Sequence, residues 1–240
     1  MSSTDWMLIV AIAGILLLMA IGYAGLYFRY RMLGRKENYR NIQTKNLTGG
    51  KEAAERLMAE YDISGVEIRQ IDNVLLEYYY SPRSKQLHLS VRSYHGVGLY
   101  QVARAAHTAA HAVQHERAYP GIDVYLFFAP IMEVWSRLFP LFVIVLFIMG
   151  CCELKWAFVL LLLLYAVSFV VSLLMRRVDN GAADIAKEWL LSHDHIYQKD
   201  IEALDKTMKA IIDYNFIAIL TAGFTIFQSK RGWLNSSATV

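Results

Sequence analysis

The sequence predicts a mostly helical protein: a four-helix transmembrane bundle carrying a small cytoplasmic α+β domain. Three observations lead there. Of the 240 residues, 56% are hydrophobic and 19% charged, against about 45–50% and about 25% in an ordinary soluble chain. Two uncharged runs, residues 6–28 and 156–175, reach the roughly 20 helical residues that cross a hydrocarbon core of about 30 Å. Between them lies a polar segment with both helical and strand-like patterning. Composition excludes a disordered chain, and four prolines exclude a proline-rich one. The adjacent pair Cys151 and Cys152 offers no disulfide scaffold and is expected to pack. The net charge of +3 comes with no basic stripe, so no nucleic-acid partner is expected.

Residues 1–28 read as a retained anchor, because their apolar part exceeds the roughly 7–15 residues of a signal core and Asp5 stands where basic residues would precede one. Arg29, Arg31, Arg35, Lys36, Arg40 and Lys45 follow, with only Glu37 opposing them. Such charge marks the cytoplasmic side and puts the amino terminus outside. Residues 29–137 are then a cytoplasmic domain. Thr48 and Gly49 precede an amphipathic helix over 51–61, with Ala53, Ala54, Leu57 and Met58 on one face. Residues 65–71, 74–80 and 86–92 are strand-like, with a turn at Pro82 between the last two. The alanine-rich run 98–116 is a strong helix former.

Residues 138–175 form a predicted transmembrane hairpin, with spans at 138–152 and 156–175 joined by the polar break at Glu153 and Lys155. Arg176 and Arg177 return the chain to the cytoplasmic side. Residues 176–240 lead through a cytoplasmic helix, 200–210, into a fourth span, 211–227, interrupted by Asp213 and Asn215. Lys230 and Arg231 would then fall outside, against the charge rule. Asp213 reads either as a functional intramembrane acid or, by preference, as a carboxylate at the interfacial level.

His107, His111 and His115 recur every fourth residue in the alanine-rich helix. One helical turn brings two such imidazoles to a common point, where they can hold Zn²⁺. Spacing alone fits packing histidines as well. His115 lies about 12 Å along the axis from His107 and cannot join the same ion.

The text around the pair, AAHTAAHAVQH over residues 105–115 followed by Ala118 and Tyr119, closely resembles the active-site helix of the YugP-like neutral zinc metallopeptidases, membrane-bound bacterial proteins with HExxHAxQH there. Leu47-Thr48-Gly49, Pro82-Arg83-Ser84-Lys85, Ser136-Arg137-Leu138 and Val178-Asp179 resemble further family landmarks in the same order. The resemblance implies the family's fold and topology. It also implies zinc as cofactor, with His107 and His111 as ligands and Asp179 at the position of the family's third, glutamate, ligand. The departures are as informative. Thr108 stands where the family has the glutamate that deprotonates the zinc-bound water, and a general base typically contributes about 10²–10⁴ in rate. Aspartate is one methylene shorter than glutamate, so closing the site needs the backbone to come nearer. Gly181 replaces a family aspartate, and Tyr78, Tyr79 and Ser81 replace polar residues before the proline turn.

Sequence reasoning therefore expects a degenerate member of that family in the bacterial cytoplasmic membrane, multi-pass, with no catalytic residue and a metal set of His107, His111 and Asp179. The expected function is that of a pseudopeptidase, a structural or accessory subunit whose partners are the lipid bilayer and other membrane-protein subunits. The alternative is an active zinc endopeptidase with an unusual base such as Asp184. Glu116, five residues after His111, lies off the metal-facing stripe.

Overall fold

The computed structural model describes residues 41–46, 49–71, 78–150 and 153–225, with isolated positions 20, 23, 24, 27, 31 and 39. Most of the first apolar run, Thr48, residues 72–77, Cys151, Cys152, Lys230 and Arg231 lie outside the described residues. The chain is mostly helical with one small sheet, and it divides into two compact units. Residues 31–131 and 174–215 make one; residues 1–30, 132–173 and 216–240 make the other.

Helix α1 (Gly50–Glu60) buries Gly50, Ala53, Ala54, Leu57 and Met58, the face set by helical spacing. Gly49 occupies the cap position without a side-chain cap bond. A Cβ at Gly50 would overlap the Ser93 carbonyl oxygen and press on Ala105 Cβ, so the helix starts on the one residue that permits this approach.

Three strands follow: β1 (Glu67–Ile71), β2 (Tyr78–Ser81) and β3 (Gln86–Ser90). They lie in the order β1-β3-β2. β3 pairs parallel with β1, Glu67 opposite Gln86, and antiparallel with β2, Tyr78 opposite Leu89. The central strand buries Leu87, His88 and Leu89. It ends before the expected residue 92, because the Ser90 side chain accepts from the Ser93 amide at 3.4 Å and caps a short helix, α2 (Val91–His95).

Helix α3 (Leu99–Glu116) is buried from Leu99 through Gln114. Ala103, Ala105, Ala106, Ala109, Ala110 and Ala112 are fully inaccessible, which lets neighbouring elements close on it from several sides. The remaining elements are α4 (Ile122–Ile148), α5 (Leu154–Ser192), a 3-10 turn (Gln198–Asp200) and α6 (Ile201–Thr225).

Two expected boundaries shift. Helix α4 begins well before residue 138, and α5 does not end at Arg176 but runs on to Ser192. Ala182, Ala183, Ala186, Trp189 and Leu190 recur at helical spacing beyond the apolar run and are buried, so packing carries the helix onward.

The expected four-helix transmembrane bundle is corrected by the described residues. Among them one helix, Lys155–Ser192, is long and apolar enough to cross a membrane. The first expected span lies largely outside them. Asp123, Glu133 and Arg137 on α4 precede the expected second span, and Glu202, Asp205, Lys206 and Lys209 on α6 precede the expected fourth; Asp213 falls inside the fourth, where a charge is costly in a hydrocarbon core.

Candidate metal centre

The larger compact unit brings together side chains from α3, α4, α5 and α6. His107 and His111 project from one face of α3, a turn apart, their rings edge to face at 5.0 Å. Asp179 comes from α5, and all three residues are buried. The carboxylate Oδ1 lies 3.6 Å from His107 Nε2 and 3.5 Å from His111 Nε2, and one ligand atom from each residue falls within 4.8 Å of the others. Around a tetrahedral zinc with bonds of about 2.0–2.1 Å, neighbouring ligand atoms stand about 3.3–3.4 Å apart. The two carboxylate distances come close to that spacing, and two imidazoles with a carboxylate are donors of the kind zinc takes. The Asp179 backbone also comes near: its carbonyl oxygen accepts from His107 Nε2 at 3.2 Å, a bond that Nε2 would give up on ligating an ion.

Neighbouring polar groups fix how each ligand presents itself. Gln114 Nε2 donates to the Val178 carbonyl at 2.9 Å, and that acceptor orients the amide. Gln114 Oε1 therefore faces His111 Nδ1 at 2.9 Å, so Nδ1 carries the proton and Nε2 offers its lone pair toward Asp179. On the carboxylate, Tyr125 Oη donates to Oδ1 at 2.8 Å and Asn215 Nδ2 donates to the same atom at 3.3 Å. Arg104 Nη1 in turn donates to Asn215 Oδ1 at 2.8 Å and turns the Asn215 amino group toward Asp179. The Tyr125 ring stacks on His111 at 4.6 Å. Burial and the neighbouring His111 push the His107 ring down to about 3, so it is neutral and able to ligate over the physiological range.

Thr108 occupies the position next to His107 and is buried. Its hydroxyl donates to the Arg104 carbonyl, one turn back, at 2.9 Å. A threonine hydroxyl is intrinsically too weak a base to take a proton near neutral pH. A cleft reaching His107 and His111 is lined by Tyr78, Tyr79, Tyr80, Arg104, Thr108 and Asn215 among others, and no aspartate or glutamate is among its described lining residues. The tyrosines are packed: Tyr78 lies under the Arg104 guanidinium at 4.2 Å, and Tyr79 stacks on His88 at 4.3 Å.

Several other sequence candidates fall elsewhere. His115 stands 3.8 Å from Asp123 and meets Tyr80 edge-on, away from the triad. Glu116 and Asp184 are exposed and do not line the cleft. Asp213 pairs with Arg176 at 2.6 Å. At Gly181 an added Cβ would come 2.9 Å from both Gln114 Nε2 and the Tyr119 hydroxyl, so Tyr119 fills the space a longer side chain would need. Sequence reasoning missed Tyr125, Asn215 and Arg104. Two of them left a trace there, a polar interruption in an apolar run for Asn215 and a charge in the middle of an alanine-rich helix for Arg104.

Known proteins resemble this chain over most of its length. The family model described as "Putative neutral zinc metallopeptidase" matches residues 10–226. The chain is 22% identical over 219 residues to "Putative membrane protease YugP" of Bacillus subtilis (strain 168), which covers 90% of this chain and 96% of that protein. No solved structure matches the chain. A match over nearly the whole length, on a chain whose histidine pair and distant aspartate converge in one buried cluster, places it in the neutral zinc metallopeptidase family.

Proposed function

We propose that this chain is a membrane-associated, zinc-binding pseudopeptidase, a family member that keeps the metal set and has lost the general base. His107, His111 and Asp179 would hold the ion, which when bound supplies a Lewis acid and a clamp between α3 and α5. The observation that carries the loss of catalysis is Thr108: it stands where the family glutamate belongs, and its hydroxyl is spent on the Arg104 carbonyl. Membrane association is supported by the long apolar helix Lys155–Ser192 and by the membrane relative. Bacterial cytoplasmic-membrane placement and work as an accessory subunit of a membrane assembly complete the reading.

The test is metal analysis of the purified protein alongside a casein or peptide cleavage assay. Stoichiometric zinc without turnover supports the proposal; stoichiometric zinc with chelator-sensitive turnover overturns it. The change Thr108→Glu sharpens the result. If the base is what is missing, cleavage rises by about 10²–10⁴ over the parent, while no gain assigns the silence to the wider set of departures, Gly181 and Tyr78 to Tyr80. Co-purification in mild detergent tests the subunit role, which requires defined companions. Membership in a peptidase family favours a second reading, an active zinc endopeptidase with an unusual base, and the same cleavage assay decides for it.

A further inference from the structure

Helix α4 has two unlike faces where it borders the metal centre. Val124, Phe127, Phe128 and Ile131 are 59%, 54%, 38% and 42% exposed. At about 100° per residue they fall within an arc of about 100° on the helix circumference. Tyr125, Leu126, Ala129 and Pro130, from the same three turns, line the metal cleft and occupy the opposite side. Between Asp123 and Glu133 the helix carries no charge at all. Four large apolar side chains on one exposed stripe are more than the scattered hydrophobes of an ordinary water-facing surface.

No charge stands from Val124 to Met132 to match the polar rim of a soluble partner, and an uncharged apolar stripe of this kind suits a continuous apolar medium.

We propose that the stripe of Val124, Phe127, Phe128 and Ile131 is a lipid-contact surface, seated at the boundary between headgroups and acyl chains. The inference rests on the membrane reading above and goes beyond it: the sequence places these residues in the water-facing domain, ahead of any span. The cleft wall made by Tyr125, Leu126, Ala129 and Pro130 is then held against the bilayer surface rather than out in the cytoplasm.

Site-directed spin labelling tests this on the full chain in nanodiscs of phosphatidylethanolamine and phosphatidylglycerol. Val124→Cys, Phe127→Cys and Ile131→Cys are labelled one at a time in a background with Cys151→Ser and Cys152→Ser, and relaxation by oxygen is compared with relaxation by a water-soluble nickel chelate. All three sites are exposed, so the changes empty no core. Leu163→Cys, 60% exposed on α5, and Asp194→Cys, an exposed position in the larger unit, set the lipid and water limits. The proposal expects all three α4 positions to favour oxygen over nickel several-fold, as Leu163 does. Nickel-favoured relaxation at the α4 positions with oxygen-favoured relaxation at Leu163 overturns the stripe and leaves the membrane reading standing; nickel-favoured relaxation at Leu163 as well overturns both.

Discussion

At Gln114 one amide decides what one imidazole can do. Because the Val178 carbonyl takes the Gln114 amino group, the oxygen end is left for His111 Nδ1, and the lone pair of His111 must lie on Nε2. Gln114→Leu keeps the volume and removes that constraint. It is expected to weaken zinc affinity by about 10–100-fold, read by competition with a chelating dye, with the fold unchanged by circular dichroism. His107 carries a pH prediction. In the folded, metal-stripped protein its ring stays neutral down to about 3, whereas an unfolded chain takes up that proton near about 6.5. Between those values the unfolded state binds more protons, so stability is fully present above about pH 6.5 and is lost as pH falls toward about 3. Urea midpoints for the metal-free protein should fall between about pH 7.5 and about pH 5, and the fall should be smaller in His107→Leu.

Among the elements, α3 is packed by α1, α2, β2 and β3, and its alanines are the reason. Small side chains at Ala105, Ala106, Ala109 and Ala110 leave no bulk between the helix and its neighbours. Where α1 starts, Gly50 carries the approach further, with its Cα against Ser93 and Ala105. Gly50→Ala would normally favour a helix, but here it is expected to cost about 1–3 kcal/mol by overpacking, seen as a lower urea midpoint. The far end of α1 is tied to α5 by Trp189, whose Nε1 donates to Glu60 Oε2 at 2.9 Å. Nearby, Lys45 pairs with Asp194 at 2.7 Å and its amide donates to the His195 carbonyl at 2.8 Å. These contacts explain why α5 continues past its apolar run: the second half is a packed helix of the larger unit, and it delivers Asp179 to α3.

For the whole molecule, the metal proposal makes folding and metal loading one equilibrium, because the three ligands come from helices 72 residues apart in the chain, His107 and Asp179. Chelation should lower the unfolding temperature, and restoring free zinc to about 100 times its Kd should return about 2.7 kcal/mol. An unchanged transition would mean that the cluster holds no ion. The histidine pair, the helix bearing it, the buried face of α1 and the apolar run of α5 were legible in the sequence, because each depends on periodicity within one segment. Asp179 was reachable through family resemblance alone, since nothing local in its segment marks it as a ligand. The parallel pairing of β1 with β3, the continuation of α5 to Ser192 and the early start of α4 were not legible, because each is decided by contacts between distant segments. Thr108 divides the two kinds of knowledge. Its identity, read in sequence, sets a hydroxyl where the family resemblance implies a carboxylate, and no hydroxyl titrates where a carboxylate does. Only the tertiary structure decided that Tyr125, Asn215 and Arg104 gather around Asp179, because hydrogen bonding across four helices depends on where packing stops them.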